Sequence, residues 1–257
     1  MAHGWTSFAA IGDSFTEGVG DPRPDGTFRG WADLVAAGLA QAQPGFRYAN
    51  LAVRGRKFGQ VVAEQLPVAV RMEADLVSFA AGGNDALRPR FDTQALIDRM
   101  DRVVGQLRTS GADVVLFMFP DMSVRLPLPG VLKPRIVAMN QAYTEVAARH
   151  DAHLVDLFAD AALHDPRLWS DDRLHLNAAG HRRVADHVLA TLGVTDRPAP
   201  AGSTQLHPRW PARRAADLRW AGAHLGPWLH RHARGRSSGD GIRAKRPELS
   251  ASGFGTG

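Results

Sequence analysis

The chain of 257 residues contains no cysteine, which excludes disulfide bonds, thiolate metal sites and cysteine nucleophiles. No uninterrupted apolar run approaches the roughly 20 residues that a membrane-spanning helix needs. The first residues show no basic region followed by an apolar stretch, so we expect no export signal and predict a cytoplasmic location. Hydrophobic residues make up 44% and charged residues 22%, which is typical of a globular protein rather than a disordered one.

Lysine is also scarce, since only Lys57, Lys133 and Lys245 stand among the 31 basic residues. The net charge of +5 is unevenly distributed along the chain. Residues 195–257 contain 11 basic and 4 acidic residues, a balance of +7, whereas residues 1–194 contain 20 and 22, a balance of −2. The sequence therefore predicts a nearly neutral body over residues 1–194 and a basic C-terminal extension over residues 195–257.

Five short apolar runs have the length of β-strands, and most of them lack a strict alternation of polar and apolar residues. They cover residues 7–11, 47–53, 76–81, 114–119 and 154–158. Segments with helical spacing of apolar residues separate and follow them, at residues 31–42, 59–70, 93–108, 133–149 and 178–192. Strands buried on both faces and alternating with helices predict an α/β fold with three layers, α/β/α, around a parallel five-stranded sheet. The site of such a sheet lies at the carboxyl ends of its strands.

Residues typical of nucleophilic catalysis follow these predicted strands. Ser14 comes just after the first strand, and Asp172 and His175 follow the fifth strand after a loop. A serine hydroxyl needs a base that removes its proton during attack, and histidine has a suitable pKa for this task. Asp172, three residues before His175, is placed to orient the imidazole ring. The adjacent Asp171 is the alternative for this orienting carboxylate.

Three candidate hydrogen-bond donors accompany this set of residues. They are the backbone amide of Ser14, the backbone amide of Gly55 after the second strand, and the side-chain amide of Asn84 after the third. Donors of this kind stabilise the oxyanion that forms when a serine attacks a carbonyl group. The alternative is that Gly55 and Asn84 only form turns. We expect Asp85 to cap a helix or turn.

The order of these motifs resembles that of the GDSL/SGNH family of serine esterases and lipases, over roughly residues 8–192. The matching blocks are Gly12-Asp13-Ser14, Gly55, Gly82-Gly83-Asn84-Asp85 and Asp172-Arg173-Leu174-His175. The resemblance implies a flavodoxin-like sheet, a triad of Ser14, His175 and Asp172, and an oxyanion hole formed by Ser14, Gly55 and Asn84. The sequence departs from the family pattern at Phe15, where leucine is usual, and at Leu176, where proline is common.

A proline-rich apolar segment over residues 120–134 follows the fourth predicted strand. We expect Met122, Leu126 and Leu128 from this segment, together with Trp169, to border an acyl pocket; the alternative for the segment is ordinary packing against the sheet. The predicted function is hydrolysis of small or medium acyl esters through an acyl-enzyme. The alternatives are an acyltransferase or thioesterase with the same triad and a non-catalytic binding module. The mechanism requires no metal or other cofactor.

The extension after Gly193 begins with a linker rich in proline, alanine and glycine. An amphipathic basic helix is predicted over residues 210–234, and residues 235–257 are predicted to be disordered because they are rich in glycine, serine and arginine. The apolar face of that helix is expected to pack on the body or on a second subunit. Peripheral contact with an anionic membrane is the second interpretation, and nucleic acid is not expected as a partner.

Overall fold

A computed structural model of the protein describes residues 4–87, 91–126, 128–195 and 237–251, together with three isolated positions, 219, 222 and 223. Apart from those three positions, the amphipathic helix predicted over residues 210–234 lies outside the described residues. It therefore stays a prediction.

Five parallel strands form the centre of the sheet, as the sequence predicts. They are β1 (Ser7–Gly12), β2 (Arg47–Asn50), β3 (Leu76–Ala80), β4 (Asp113–Met118) and β5 (His153–Asp156). Their spatial order is β5-β4-β3-β1-β2, which is the flavodoxin-like order, and the direction in which successive strands are added reverses between β1 and β3. Ala10 of β1 lies opposite Asn50 of β2, and Gly12 lies opposite Ala80 of β3, so the carboxyl ends of these strands meet at one edge.

Helices cover both faces of this sheet and create two apolar cores. The helices are α1 (Ser14–Glu17), α2 (Gly30–Ala42), α3 (Phe58–Glu64), α4 (Leu66–Met72), α5 (Gly83–Ala86), α6 (Thr93–Thr109), α7 (Pro129–His150) and α8 (Ala178–Thr191). Residues of α3, α4, α6 and α7 pack on one face, and residues of α2 and α8 pack on the other. This arrangement confirms the predicted three-layer α/β/α fold. Among the described helices, none combines the length and apolar character that crossing a membrane requires.

Proline explains two differences between the predicted and the observed helices. The single helix predicted over residues 59–70 is broken at Gln65, and Pro67 occupies the first turn of the second piece, α4. Helix α7 begins at Pro129 rather than at residue 133, because proline is favourable in the first turn, where its missing N–H would have no partner.

The extension contributes a sixth strand, β6 (Arg246–Ala251), which the composition of this region did not predict. The strand pairs antiparallel with β2, with Arg47 opposite Ala251 and Tyr48 opposite Ser250. The prediction of disorder over residues 235–257 is therefore wrong for residues 246–251. Most side chains of β6 are exposed, so its sequence carries no apolar alternation, and its order comes from pairing with the edge of β2.

Candidate active site

Ser14 begins helix α1 directly after β1, and a tight backbone turn places it at the edge of the sheet. The turn requires Gly12, because a Cβ atom at this position would lie 2.5 Å from the carbonyl oxygen of Ala80. The buried side chain of Gln65 holds the same glycine: it accepts from the Gly12 N–H at 2.8 Å and donates to the Gly12 carbonyl at 2.9 Å. Sequence reasoning missed Gln65, since a glutamine within a helical segment carries no motif signal. The break between α3 and α4 at this residue is the one local clue.

His175 is hydrogen-bonded to Asp172, with 2.5 Å between Nδ1 of the ring and Oδ2 of the carboxylate. The second oxygen of Asp172 accepts the backbone N–H groups of Leu174 and His175, each at 3.0 Å. Burial acts to raise the pKa of Asp172, but the hydrogen bond from His175 and the two backbone donors outweigh it and lower the pKa to about 2. The carboxylate is therefore ionised at neutral pH, and it fixes a proton on Nδ1 so that Nε2 is free to accept one. The exposed Asp171 does not take this place.

The loop that carries this pair is closed at its base. Trp169 and Leu176 form an antiparallel bridge, and the N–H of Ser170 donates to the carbonyl of His175 at 2.8 Å. Between these points Arg173 adopts a left-handed conformation with φ of 60°, which is unfavourable for a residue with a side chain. The loop therefore turns sharply, and this turn brings Asp172 and His175 together.

Gly55 lies in the loop after β2, and its φ of 73° is in the left-handed region that favours glycine. An ion pair holds this loop beside α1: Glu17 accepts the backbone N–H of Arg54 at 2.6 Å and also binds the guanidinium group of Arg54. The side chain of Glu17 is only 6% exposed, so this ion pair is largely shielded from water. Sequence reasoning did not assign a role to Glu17 or Arg54.

Asn84 lies in the short helix α5, after β3. Its side-chain NH2 group donates to Oδ2 of Asp13 at 3.1 Å and to the carbonyl oxygen of Arg56 at 3.0 Å. Burial raises the pKa of Asp13 to about 6, against the hydrogen bond from the Phe15 N–H. These contacts fix the orientation of the Asn84 amide between the loops that follow β1 and β2. The neighbouring Asp85 accepts the backbone N–H of Phe58 at 2.9 Å and so caps helix α3, as expected.

A cavity of about 110 Å³ opens at this edge of the sheet, and Ser14, Asn84 and His175 all line it. Among the described candidates for the catalytic machinery, Gly55 and Asp172 do not line the cavity. The rest of the wall is mainly apolar and includes Phe119, Leu132, Ile136, Met139 and Leu157. Its volume is smaller than that of an apolar cavity of about 150 Å³ that holds a benzene molecule, so its size corresponds to a short acyl chain rather than a long one. In the described part of the chain, no group of three or more histidine, aspartate or glutamate residues is arranged to hold a metal ion.

Three of the four residues predicted to border an acyl pocket line this cavity, namely Met122, Leu126 and Trp169. Leu128 does not, and its assignment to the pocket is wrong. Because α7 begins directly after it, Leu128 becomes the N-cap residue of that helix, and it is 70% exposed. His181 of helix α8 is buried and also lines the cavity. Its Nδ1 accepts the backbone N–H of Trp31 at 3.3 Å, and burial lowers the pKa of the imidazole to about 4.

A serine and a carboxylate-bound histidine at the carboxyl edge of a parallel sheet are the arrangement that serine hydrolases use. The family model described as the GDSL-like lipase/acylhydrolase family matches residues 10–183, and the chain belongs to this family. A search of curated protein sequences gave no significant match.

Solved structures with similar folds include several esterases. LAE5, an alpha/beta hydrolase enzyme from the metagenome of Lake Arreo in Spain, is 22% identical and superimposes with a TM-score of 0.62 over 76% of this chain and 97% of its own. TesA is 25% identical, with a TM-score of 0.61 over 74% of this chain and 99% of its own. Axe2, an acetyl-xylooligosaccharide esterase from Geobacillus, is 17% identical, with a TM-score of 0.63 over 77% of this chain and 99% of its own.

Proposed function

We propose that the protein hydrolyses small or medium acyl esters through an acyl-enzyme formed on Ser14. The observation that carries this proposal is that His175, hydrogen-bonded to Asp172, lines the same apolar cavity as Ser14. A proton fixed on Nδ1 leaves Nε2 of His175 as the base, and the ionised Asp172 stabilises the imidazolium that forms when the ring takes a second proton.

In the first half of the reaction, Oγ of Ser14 attacks the ester carbonyl carbon and its proton passes to Nε2 of His175. The resulting oxyanion is stabilised by the backbone N–H groups of Ser14 and Gly55 and by the side-chain amide of Asn84. One of the two hydrogen bonds that Asn84 makes in the free protein is exchanged for the oxyanion. The tetrahedral intermediate then collapses, the bond to the alcohol oxygen breaks, and His175 returns the proton to the departing alcohol.

In the second half, water attacks the acyl-enzyme, His175 accepts its proton, and the carboxylic acid leaves as Ser14 regains a proton. The acyl chain occupies the cavity whose wall includes Met122, Leu126 and Trp169. Its apolar lining favours a hydrocarbon chain over a charged group, and its volume favours a short or medium chain.

The test is the variant Ser14→Ala, measured with p-nitrophenyl butyrate and with a fluorophosphonate probe. We expect hydrolysis to fall to background and labelling to disappear, with an unchanged circular dichroism spectrum. Ser110→Ala is the matched control, because this serine is the C-cap residue of α6 and its hydroxyl bonds only the carbonyl of Leu107 among the described contacts. Full activity in Ser14→Ala would contradict the proposal. Transfer of the acyl group to an added alcohol at the expense of hydrolysis would instead favour an acyltransferase.

A further inference from the structure

The C-terminal segment over residues 237–251 packs against helix α1, which begins at Ser14, and against the loop that carries Gly55. The family match ends at residue 183, well before this segment. LAE5 and TesA align over 97% and 99% of their own chains with only 76% and 74% of this one, so about a quarter of this chain is additional to their folds. The segment is therefore an addition to the family domain that reaches the candidate site.

The first contact joins Ser237 and Gly239 to the loop after β2. Ser237 donates its hydroxyl to the carbonyl oxygen of Gly55 at 3.2 Å. A Cβ atom at Gly239 would lie 2.1 Å from the carbonyl oxygen of Arg54, and one at Gly55 would lie 2.4 Å from the hydroxyl oxygen of Ser237. Glycine at 55 and at 239 thus allows the extension to rest directly on the loop after β2.

The second contact is the burial of Lys245, one of only three lysines in the chain. Its ammonium group donates to the carbonyl oxygens of Glu17, Phe28 and Arg29 at 2.8, 2.9 and 2.6 Å. It also pairs with the carboxylate of Asp33 at 2.9 Å, and the lysine side chain is only 11% exposed. A buried ammonium group is costly without partners, and these four acceptors compensate for the loss of water. The lysine therefore fixes the position of the segment relative to the body.

Glu17 connects the two contacts. Its carbonyl oxygen accepts from Lys245, and its carboxylate binds the backbone N–H and the guanidinium group of Arg54. Glu17 is the last residue of the helix that begins at Ser14, and Arg54 immediately precedes Gly55. The hydrogen bonds of Lys245 and Glu17 thus link the segment to the helix that begins at Ser14 and to Arg54, the residue before Gly55.

We propose that residues 237–251 act as a positioning segment that holds the backbone N–H of Gly55 in register with Ser14, with Lys245 as its anchor. This inference rests on the proposed function, because it assigns the segment to the oxyanion hole of that reaction. Loss of one such donor typically lowers kcat about 100- to 1,000-fold, and a displacement of about 1 Å can cost about 100-fold. A change in the anchor that shifts the loop should therefore lower kcat while the acyl cavity, and with it KM, changes little.

The experiment uses two variants of the full-length protein. Lys245→Met removes the ammonium group but keeps the length of the side chain, and Gly239→Ala places a methyl group against the carbonyl of Arg54. Arg149→Met is the control for the first variant, since it removes an exposed ion pair with Asp101 at the far end of α7. Gly59→Ala is the control for the second, because a Cβ atom there meets no atom within 4 Å.

We expect kcat for p-nitrophenyl butyrate to fall at least about tenfold in both variants, with KM changed by less than about threefold, at a temperature where each is folded. Labelling by the fluorophosphonate should slow in parallel, and both controls should behave as wild type. An unchanged kcat in folded Gly239→Ala or Lys245→Met would overturn the inference and leave the segment a purely stabilising role. A raised kcat would also overturn it, because the segment would then obstruct the site. The variant Ser14→Ala is measured in the same assay. If it abolishes hydrolysis while the other two variants keep their kcat, the positioning role fails and the proposed function stands.

Discussion

Replacement of Asp172 by asparagine keeps the size of the side chain, and the structure indicates how the new amide would sit. One oxygen of Asp172 accepts the N–H groups of Leu174 and His175. The asparagine must keep its carbonyl oxygen there, because its NH2 group would otherwise face two donors. The NH2 group then faces Nδ1 of His175, which can accept this hydrogen bond only as the tautomer with its proton on Nε2. In that tautomer the ring cannot accept the proton of Ser14.

The expected loss of activity is large. In a serine protease triad, the corresponding change from aspartate to asparagine lowers kcat about 10⁴-fold, which is about 5.5 kcal/mol in the activation barrier. We expect a decrease of about 10³- to 10⁴-fold for Asp172→Asn. Stability should change less. Because hydrogen bonds lower the pKa of Asp172 to about 2, the charged form contributes up to about 2 kcal/mol above pH 4, and this contribution disappears as the pH falls through about 2.

The assay is kcat for p-nitrophenyl butyrate near neutral pH, with the exposed Asp171→Asn as the matched control. Nitrogen-15 chemical shifts of His175 would report the tautomer directly. If Asp172→Asn keeps more than about a tenth of wild-type kcat, or if the Asp171 variant loses as much, then Asp172 does not orient the base. A ring that keeps its proton on Nδ1 in the variant would refute the hydrogen-bond argument itself.

Two further predictions concern the buried Asp13 and the acyl cavity. Burial raises the pKa of Asp13 to about 6, so the folded protein binds this proton more tightly than the unfolded chain and loses stability as the pH rises from about 4 to 6. Urea unfolding should therefore show Asp13→Asn gaining up to about 3 kcal/mol relative to wild type between pH 4 and pH 7, and a constant difference would contradict this. Leu126→Trp should reduce kcat/KM for octanoate relative to acetate esters at least about tenfold by filling the cavity, whereas Leu128→Trp, at an exposed position, should not. Equal chain-length profiles for the two tryptophan variants would place the acyl chain elsewhere.

The sequence predicts the central fold and the grouping of most site residues for a physical reason. Strands buried on both faces must be apolar throughout, and the residues that follow them lie at one edge of a parallel sheet. The sequence alone therefore predicts that Ser14, Asn84 and His175 lie close together, and all three line one cavity. The prediction that Asp172 orients the ring agrees with its hydrogen bond to His175, because three residues within a turn bring the two side chains together.

Features that depend on contacts between distant segments were not predictable in the same way. Strand β6 has no apolar pattern of its own, because it is ordered by pairing with β2. Gln65, Glu17 and Lys245 are polar residues whose roles come from backbone groups distant in the chain. The error at Leu128 has a local origin, since α7 begins at Pro129 rather than at residue 133 and makes Leu128 its exposed N-cap residue.

The candidate nucleophile and its base lie 161 positions apart in the chain, at Ser14 and His175. The nascent polypeptide therefore exposes its serine long before the histidine has been synthesised, and it stays without esterase chemistry until the last parallel strand and the loop after it have been added. Closing a loop of this length carries an entropic cost that slows refolding of a denatured chain. Recovery of ester cleavage after dilution from denaturant would thus report when all five parallel strands have paired. Far-ultraviolet circular dichroism would report the formation of the helices.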